Sequence, residues 1–259
     1  MRKSVIVVAI AVCIVSYSSC TCPNTFSNAL LELYYGSVYK GHNTTFNGYA
    51  LLELYYGSVY KGHNTTFNGC VRDNSNITRI ILRTPTMNIF KGTFSNLTFL
   101  HYLALDNANL HVIEAQFAEN LPKLRTFSAS MNQIGEIRYN VLNNLPLKGV
   151  DLSTNTISEI ANGAFSGMDL DHLLLDNNKL QSINSYWFRN TTIKMLDLSS
   201  NKIELLWTET FSGIIGMETL DLRHNKIHYI DYDTFSTQRS LEWLFMKGNS
   251  LLNLDFGSS

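Results

Sequence analysis

The sequence predicts an α/β-type solenoid, in which short parallel strands form a curved sheet on the concave face and irregular or 3₁₀ turns form the convex face. The first observation is the segment LDLSSNKIELL at 196–206, where apolar and polar residues alternate before an asparagine. The second is that this pattern recurs every 23 or 24 residues. The third is a phenylalanine that closes most units. Self-similarity at such a period indicates stacked units that bury a shared core.

Each unit is predicted to begin with a strand. Alternate side chains of a strand point to opposite faces, so we expect Leu196 and Leu198 in the core and Met195, Asp197 and Ser199 on the concave surface. Seven complete units and a truncated eighth start at Ile77, Leu100, Leu124, Leu147, Leu170, Ile193, Met217 and Leu241. The core pattern, Leu-x-x-Leu-x-Leu-x-x-Asn-x-Leu, resembles that of the extracellular leucine-rich-repeat superfamily. The resemblance implies a leucine-rich-repeat solenoid over residues 77–259.

Two further columns of residues are expected to be structural. An asparagine amide offers donors and an acceptor, so a column of asparagines can tie each turn to the next. These are Asn132, Asn155, Asn178, Asn201, Asn225 and Asn249. Pro85 and Ala108 take this place in the first two units, where looser turns are expected. The second column is predicted to be core near the far edge of the coil, and consists of Phe94, Phe117, Val141, Phe165, Phe188, Phe211 and Phe235.

The N-terminus has the features of a secretory signal over residues 1–19. Arg2 and Lys3 precede an 11-residue apolar run at 5–15, which is too short to span a bilayer comfortably. An uncleaved anchor is the alternative. Since no later segment is apolar enough to span a membrane, we expect a secreted product with no membrane span in this chain.

Residues 20–76 are predicted to form an N-terminal cap. A secreted solenoid needs a cover for its first unit, and a Cys22–Cys70 disulfide would tie such a cover. If Cys20 is retained after signal cleavage, either Cys20 or Cys22 could be the partner. The same 20 residues occur at 29–48 and at 50–69, which indicates a recent tandem duplication or an assembly error. We expect one copy to pair as a strand or short hairpin on the first repeat and the other to bulge out or be poorly ordered.

Five Asn-x-Ser/Thr sequons are candidate glycosylation sites, and none falls on a concave strand position. They are Asn43, Asn64, Asn76, Asn96 and Asn190.

The sequence lacks the residue patterns of an enzyme. There is no Gly-rich phosphate loop, no Gly-x-Ser-x-Gly elbow and no Cys-x-x-Cys pair. His224 and His228 are predicted to diverge around a turn, and the recurring Asp151, Asp197 and Asp221 occupy the ordinary polar position between core leucines. We therefore predict no catalytic residues, no metal site and no cofactor. The net charge of −1 argues against nucleic acid as a partner.

The concave sheet remains as the candidate binding surface for a protein. Interface energy concentrates in aromatic, arginine and large apolar side chains, and solenoids commonly bind on this face. The candidates at outward positions are Ile81, Arg83, Tyr102, His172, Leu174, Met195, Arg223, Trp243 and Phe245. Trp243 and Phe245 share one strand and one face. The alternative is that these two rings pack on each other or under a C-terminal continuation.

The signal, the minimal cysteine cap, the irregular first unit at 80–90 and the Asn-rich later units are similar to insect secreted leucine-rich-repeat proteins, such as mosquito leucine-rich immune proteins. This resemblance implies innate immune recognition or scaffolding, with an extracellular protein ligand or co-receptor. It also implies dimerisation through a C-terminal region that is missing here. The chain stops at Ser259 without a cap, so we expect a fragment or an end covered by a partner. The alternative is an ectodomain fragment of an adhesion or developmental receptor.

Overall fold

The computed structural model describes residues 50–55, 71–72, 77–83, 89 and 91–251. The backbone of this part is almost entirely strands and turns, with one 3₁₀ helix at Ser185–Phe188. The long concave strands are β1 Ala50–Tyr55, β3 Ile77–Arg83, β5 Tyr102–Ala104, β7 Thr126–Ser128, β9 Gly149–Asp151, β11 Asp169–Leu174, β12 Thr191–Asp197, β15 Thr219–Asp221 and β17 Trp243–Phe245. The other strands are β2 Val71–Arg72, β4 Phe94–Ser95, β6 Ala118–Glu119, β8 Glu136–Ile137, β10 Glu159–Ile160, β13 Leu205–Leu206, β14 Ile214–Ile215 and β16 Tyr229–Ile230.

The concave face is a single parallel sheet in the order β1-β3-β5-β7-β9-β11-β12-β15-β17, with β14 pairing to β12 off this path. Equivalent residues of successive units face each other across the strands, as when Leu196 pairs with Leu173 on one side and Leu220 on the other. Because the side-chain period of a strand is two, this register puts one set of leucines inside along the whole stack. The predicted solenoid fold is confirmed.

The core is formed by the columns that the repeat predicts. Leu196 and Leu198 are fully buried, and so is Phe165. The rings of Phe165 and Phe188 stack with their centroids 5.8 Å apart. Val141, which replaces phenylalanine in the third unit, is also buried. The core is therefore continuous from unit to unit, and each unit depends on its neighbours for burial.

The asparagines form a hydrogen-bonded ladder inside the turns. Asn201 is typical: its Oδ1 accepts from the N–H of Leu180 at 3.0 Å, and its Nδ2 donates to the carbonyl of Leu175 at 2.9 Å. Both partners belong to the preceding unit. The same Nδ2 also donates to the Leu198 carbonyl of its own unit at 3.1 Å. The ladder thus joins each turn to the one before it.

The second unit lacks a ladder asparagine, and the following unit compensates. Ala108 is fully buried at the ladder position. Its N–H donates to Oδ1 of Asn132 at 2.9 Å, and the N–H of Leu110 donates to the same oxygen at 3.0 Å. The turn at Ala108, expected to be looser, is therefore held by two hydrogen bonds to one amide. Pro85 lies outside the described residues.

The convex side consists mainly of turns, with a 3₁₀ helix and several pairs of two-residue strands. The chain leaves the ladder along what we call the outgoing leg, where β8 pairs with β10 and β13 with β16. It returns past the phenylalanine column along the return leg, where β2, β4 and β6 form a small parallel sheet. The 3₁₀ helix begins after Asn184, whose side chain accepts from the N–H of Tyr186. Such capping satisfies a backbone donor that has no partner within the helix.

A ninth concave strand lies before the eight that the repeat starts predict. This strand, β1, opens the second copy of the duplicated segment and pairs in parallel with β3. The first copy, the predicted signal and the predicted cap disulfide fall outside the described residues. Within the described part, no helix is long and apolar enough to cross a bilayer.

Candidate binding surface on the concave sheet

The nine candidate binding residues fall into two groups on the concave sheet. Ile81, Arg83 and Tyr102 lie on β3 and β5, near the N-terminal end. The other six lie on β11, on β12 and on the strands and turns that follow. Between the groups, β7 and β9 present small or short side chains such as Thr126 and Gly149. Three strand spacings, about 14 Å, separate β5 from β11. The sheet therefore carries two surfaces rather than one continuous site.

The N-terminal group is organised around Tyr102. The Arg79 guanidinium lies 4.5 Å from the centroid of the Tyr102 ring, in a cation–π arrangement. Ile81 pairs with Ala104 across the strands and is half-buried. The side chain of Arg83 lies outside the described residues. In this group the Tyr102 ring is partly covered by the guanidinium of Arg79, a residue of the same chain.

The C-terminal group presents two exposed aromatic rings. Trp243 is 59% exposed and Phe245 is 39% exposed, and they project from the same side of β17. Their ring centroids lie 6.3 Å apart and the ring planes are within 10° of parallel. The two rings pack on each other, as the alternative interpretation of this pair expects, while keeping a large exposed area. Exposed stacked aromatic rings are typical of interface anchors, because they bury much area at little cost in side-chain entropy.

Arg223 extends this aromatic pair and is held in place by Asp221. Its guanidinium lies 5.3 Å from the Phe245 ring centroid. Nε donates to Asp221 Oδ2 at 2.8 Å and Nη2 donates to the same oxygen at 2.5 Å. The Asp221 side chain is buried, and its hydrogen bonds and charge raise the pKa of Arg223. The Asp221 carboxylate thus fixes a cation beside the Phe245 ring.

His172, Leu174 and Met195 continue the surface toward the middle of the sheet. His172 pairs with Met195, and Met195 pairs with Thr219, which in turn pairs with Trp243. Met195 is 38% exposed, whereas Leu174 is half-buried. Met195 and Trp243 therefore stand in one row with only a threonine between them. The C-terminal group forms a contiguous apolar and cationic surface over four strands.

The aspartates at the strand ends have a structural function that the repeat pattern does not reveal. Oδ1 of Asp197 accepts from the N–H of Ser199 at 2.9 Å, and Oδ1 of Asp151 accepts from the N–H of Ser153 at 2.9 Å. An aspartate that bonds the backbone two residues on forms an Asx turn, which ends the strand. The Asp-x-Ser spacing is the sequence signal that could have identified this function.

Asp176 lies in the turn after β11, two residues beyond the strand end, and its pKa rises on folding. Burial raises the pKa of Asp176, and the charges of Asp197 and Asp151 raise it further, although a hydrogen bond from Asn177 opposes the change. The neighbouring carboxylates give the middle of the concave sheet a negative potential, which disfavours phosphate groups on this face.

The rim of the sheet, by contrast, carries paired charges. Lys194 Nζ donates to Asp171 Oδ1 at 2.8 Å, and this bond lowers the pKa of Asp171. Lys148 forms a similar contact with Asp169. Both pairs are exposed, and such pairs contribute little to stability. They define the polar border of the candidate surface.

The two described sequons lie on the return leg, away from the concave side chains. Asn96 and Asn190 are both exposed, with positive φ angles of 57° and 53°. Asn96 follows β4 and Asn190 immediately precedes β12. Asn43, Asn64 and Asn76 fall outside the described residues. Sugars at Asn96 and Asn190 would leave the concave sheet open.

The described residues form no recognisable metal centre. Within the part of the chain that the structure covers, no group of three or more His, Cys, Asp or Glu side chains is placed to hold a metal ion. His224 and His228 are both exposed on either side of the Asn225 turn. What the geometry offers is a surface for contact.

The repeats match known sequence profiles over most of their length. Residues 169–214 and 191–251 match the profile described as leucine rich repeat. Residues 43–148 match the BspA type leucine rich repeat region. The chain is a leucine-rich-repeat protein. No curated protein matches this leucine-rich-repeat chain, so the similarity to insect secreted proteins remains a prediction.

Solved structures show the same fold in larger chains. The leucine-rich-repeat chain resembles the protein in the crystal structure of a TLR13–ssRNA13 complex, with a TM-score of 0.57 and 24% identity over 69% of this chain. It also resembles the Drosophila Toll–Spätzle complex, with a TM-score of 0.53 and 16% identity over 68% of this chain. The matches cover 26% and 27% of those two chains, respectively. The leucine-rich-repeat chain thus spans about a quarter of the length of these neighbours.

Proposed function

We propose that this leucine-rich-repeat protein is a non-enzymatic binding protein, secreted from the cell, that holds a protein partner against its concave face in innate immune recognition or scaffolding. One observation carries the proposal: the exposed Trp243 and Phe245 rings lie parallel beside an Arg223 guanidinium fixed by the buried Asp221. Rigid aromatic and arginine anchors contribute most of the binding energy of protein interfaces.

Electrostatics favour a protein over a nucleic acid on this face. Asp151, Asp176 and Asp197 form a row of carboxylates across three successive units: Asp151 and Asp197 end their strands, and Asp176 lies two residues beyond the end of β11. Burial raises the pKa of Asp176, and the two outer carboxylates raise it further. A phosphate backbone would be repelled by this row, whereas a protein can present complementary donors. The immune context is supported by the resemblance to the chains of a TLR13–ssRNA13 complex and a Toll–Spätzle complex. Secretion, the Cys22–Cys70 bridge and the glycans are parts of the same proposal.

A sugar introduced on the concave face would test the proposal directly. The substitution D197N creates an Asn-x-Ser sequon with Ser199, on an outward position of β12 within the C-terminal group of candidate residues. In cells that glycosylate secreted proteins, the attached sugar would block any partner that contacts the sheet. The matched control is D197N/S199A, which has the same amide but no sequon. Asparagine keeps the carbonyl oxygen that accepts from the N–H of Ser199.

The assay screens the full chain against an array of extracellular proteins from the same organism. For a partner of the concave face, the glycosylated D197N protein loses binding and the D197N/S199A control keeps it. The double variant W243S/F245S is expected to weaken the same partner at least about tenfold, because two hot-spot side chains are removed. Partners that bind all these variants equally well would show that the concave face is not the site.

A second candidate function is a segment of a cell-surface receptor ectodomain, in adhesion or development. The observation that favours it is length, since the chain spans about a quarter of both receptor-like neighbours. Sequencing the complete transcript distinguishes the two functions. A coding region that continues into a membrane-spanning segment would establish the receptor, and a stop codon directly after the repeats would contradict it.

A further inference from the structure

The outgoing legs of the sixth and seventh units carry an exposed group of aromatic side chains, which we call the outgoing-leg patch: Trp207, Tyr229 and Tyr232. Trp207 is 53% exposed, Tyr229 is 43% exposed and Tyr232 is 85% exposed. The centroids of the Trp207 and Tyr229 rings lie 5.1 Å apart, with their planes tilted by 49°. The patch lies outside the concave sheet, so it is separate from the proposed site around Trp243.

The backbone fixes the positions of the Trp207 and Tyr229 rings. Tyr229 belongs to β16, which pairs with β13. In this pair Leu206 and Ile230 point toward the core, whereas Leu205 and Tyr229 point outward. The N–H of Trp207 donates to Oγ1 of the buried Thr210 at 2.8 Å. Two rings on anchored segments lose little conformational freedom when a partner covers them, which favours binding.

The formally charged residues of the two segments that carry the patch are acidic, although Lys202 and Lys226 lie directly before these segments. The segments 203–222 and 227–238 contain no lysine or arginine. Glu204, Glu209, Asp231 and Asp233 belong to these two segments, and within the described residues none of these four carboxylates forms an ion pair. Hydrogen bonding to Asp233 raises the pKa of Tyr232, and the charge of Asp233 raises it further. The patch therefore combines aromatic faces with unneutralised negative charge.

Other aromatic rings of this chain show what is missing here. Among the described residues, four rings have a cation of the same chain nearby: Phe99 with Lys123 at 4.0 Å, Tyr102 with Arg79 at 4.5 Å, Phe245 with Arg223 at 5.3 Å and Tyr186 with Arg189 at 5.5 Å. Among the described contacts, no lysine or arginine covers Trp207 or Tyr229. Within the described part of the chain, this aromatic surface in acidic segments thus has no lysine or arginine over its rings, and cation–π attraction is strongest over tryptophan.

We propose that the outgoing-leg patch binds a lysine- or arginine-bearing segment of a protein partner. One cationic side chain lies over the Trp207–Tyr229 rings, and flanking cations pair with Glu204 and Asp231. The described sequons at Asn96 and Asn190 are on the return leg, so sugars there leave the patch accessible. A partner of the concave face could contact this second surface as well, or a different protein could occupy it.

The test measures binding of a fluorescent octa-arginine peptide to the full chain by anisotropy, at near-physiological salt. The variant W207S/Y229S is expected to bind at least about tenfold more weakly, while the conservative W207F/Y229F keeps most of the affinity. The variant E204Q/D231N is expected to weaken binding and to flatten its salt dependence, because two carboxylates no longer attract the peptide. Glycosylation through Y232N, which creates a sequon with Thr234, is expected to block the peptide, and Y232Q is its control without a sequon.

Controls separate the patch from other acidic or aromatic surfaces. W243S/F245S changes the concave rings, Y139S changes an exposed tyrosine of the third unit, and D197N/S199A removes a concave carboxylate. All three should bind the peptide like the unmodified chain. The proposal is overturned if W207S/Y229S stays within twofold of the unmodified chain, or if the concave variants lower affinity more than the patch variants do. It is also overturned if a neutral β-glucan pentasaccharide binds the rings and octa-arginine does not, because the patch would then be a carbohydrate site.

Discussion

Asn132 supports its neighbour through more buried hydrogen bonds than Asn201 does, and alanine substitution should expose the difference. Because the second unit has Ala108 at the ladder position, Oδ1 of Asn132 accepts from the N–H groups of both Ala108 and Leu110. Its Nδ2 is also the only donor to the Leu105 carbonyl among the described residues. The substitution N132A therefore leaves three buried polar groups without a partner.

The same substitution at Asn201 leaves only one. The N–H of Leu180 loses its acceptor. The three carbonyls that accept from Nδ2 of Asn201 each keep another donor, namely Nδ2 of Asn178, Nδ2 of Asn225 and the N–H of Asn177. An unpaired buried group costs roughly 1–3 kcal/mol. We expect N201A to lower the free energy of unfolding by about 2 kcal/mol, and N132A by about 4–5 kcal/mol after allowing for some relaxation.

Urea unfolding of the full chain, followed by far-UV circular dichroism, measures both variants against the exposed control K202A. The midpoints should fall in the order K202A, N201A, N132A, with K202A close to the unmodified chain. A urea midpoint for N132A equal to or above that of N201A would refute the reasoning. In that case the turn at Ala108 would not depend on the following unit for its hydrogen bonds.

Three other predictions test separate features. Burial raises the pKa of Asp176, so the folded chain binds this proton more tightly than the unfolded chain, and stability falls as pH rises through the raised pKa. D176N should therefore unfold at a higher urea concentration than the unmodified chain at about pH 7. This gain in stability should vanish below the ordinary carboxyl pKa. In G213A the new Cβ would lie 2.7 Å from the carbonyl oxygen of Ser185, so we expect a loss of about 1–3 kcal/mol and a lower melting temperature. R223A removes the guanidinium from the buried Asp221 carboxylate and should lower the urea midpoint, while R223K should lower it less. Equal losses would contradict the ion-pair explanation.

The parts of the structure that follow the repeat period could be predicted from the sequence. Strand starts, core leucines and the asparagine and phenylalanine columns recur at a fixed spacing, and stacking in register places each column on one line. Leu196, Phe165 and Asn201 are buried as their columns require. The two hydrogen bonds that Oδ1 of Asn132 accepts could not be predicted, because they depend on how the amide of one unit reaches two backbone groups of another.

The candidate site was only partly predictable for a related reason. Outward positions identify Trp243, Phe245 and Arg223 as concave residues, but the repeat pattern does not tell which rings stack or which carboxylate holds the arginine. Trp207 and Tyr229 were missed entirely, because they lie at different positions within their units and meet only through the pairing of β13 with β16. Contacts between legs depend on the offset between neighbouring coils, and no period reports that offset.

The asparagine ladder has a direction. Each ladder amide reaches backward to the unit before it, as Asn225 does to the N–H of Ile203 and Asn249 does to the N–H of Ile227. The turn of each such unit therefore receives part of its hydrogen bonding from the asparagine of the next unit. A cut or a local opening in one unit removes polar partners from the coil on its N-terminal side, while the coil on its C-terminal side keeps its own amide. Damage to such a molecule should spread toward the N-terminus more readily than away from it.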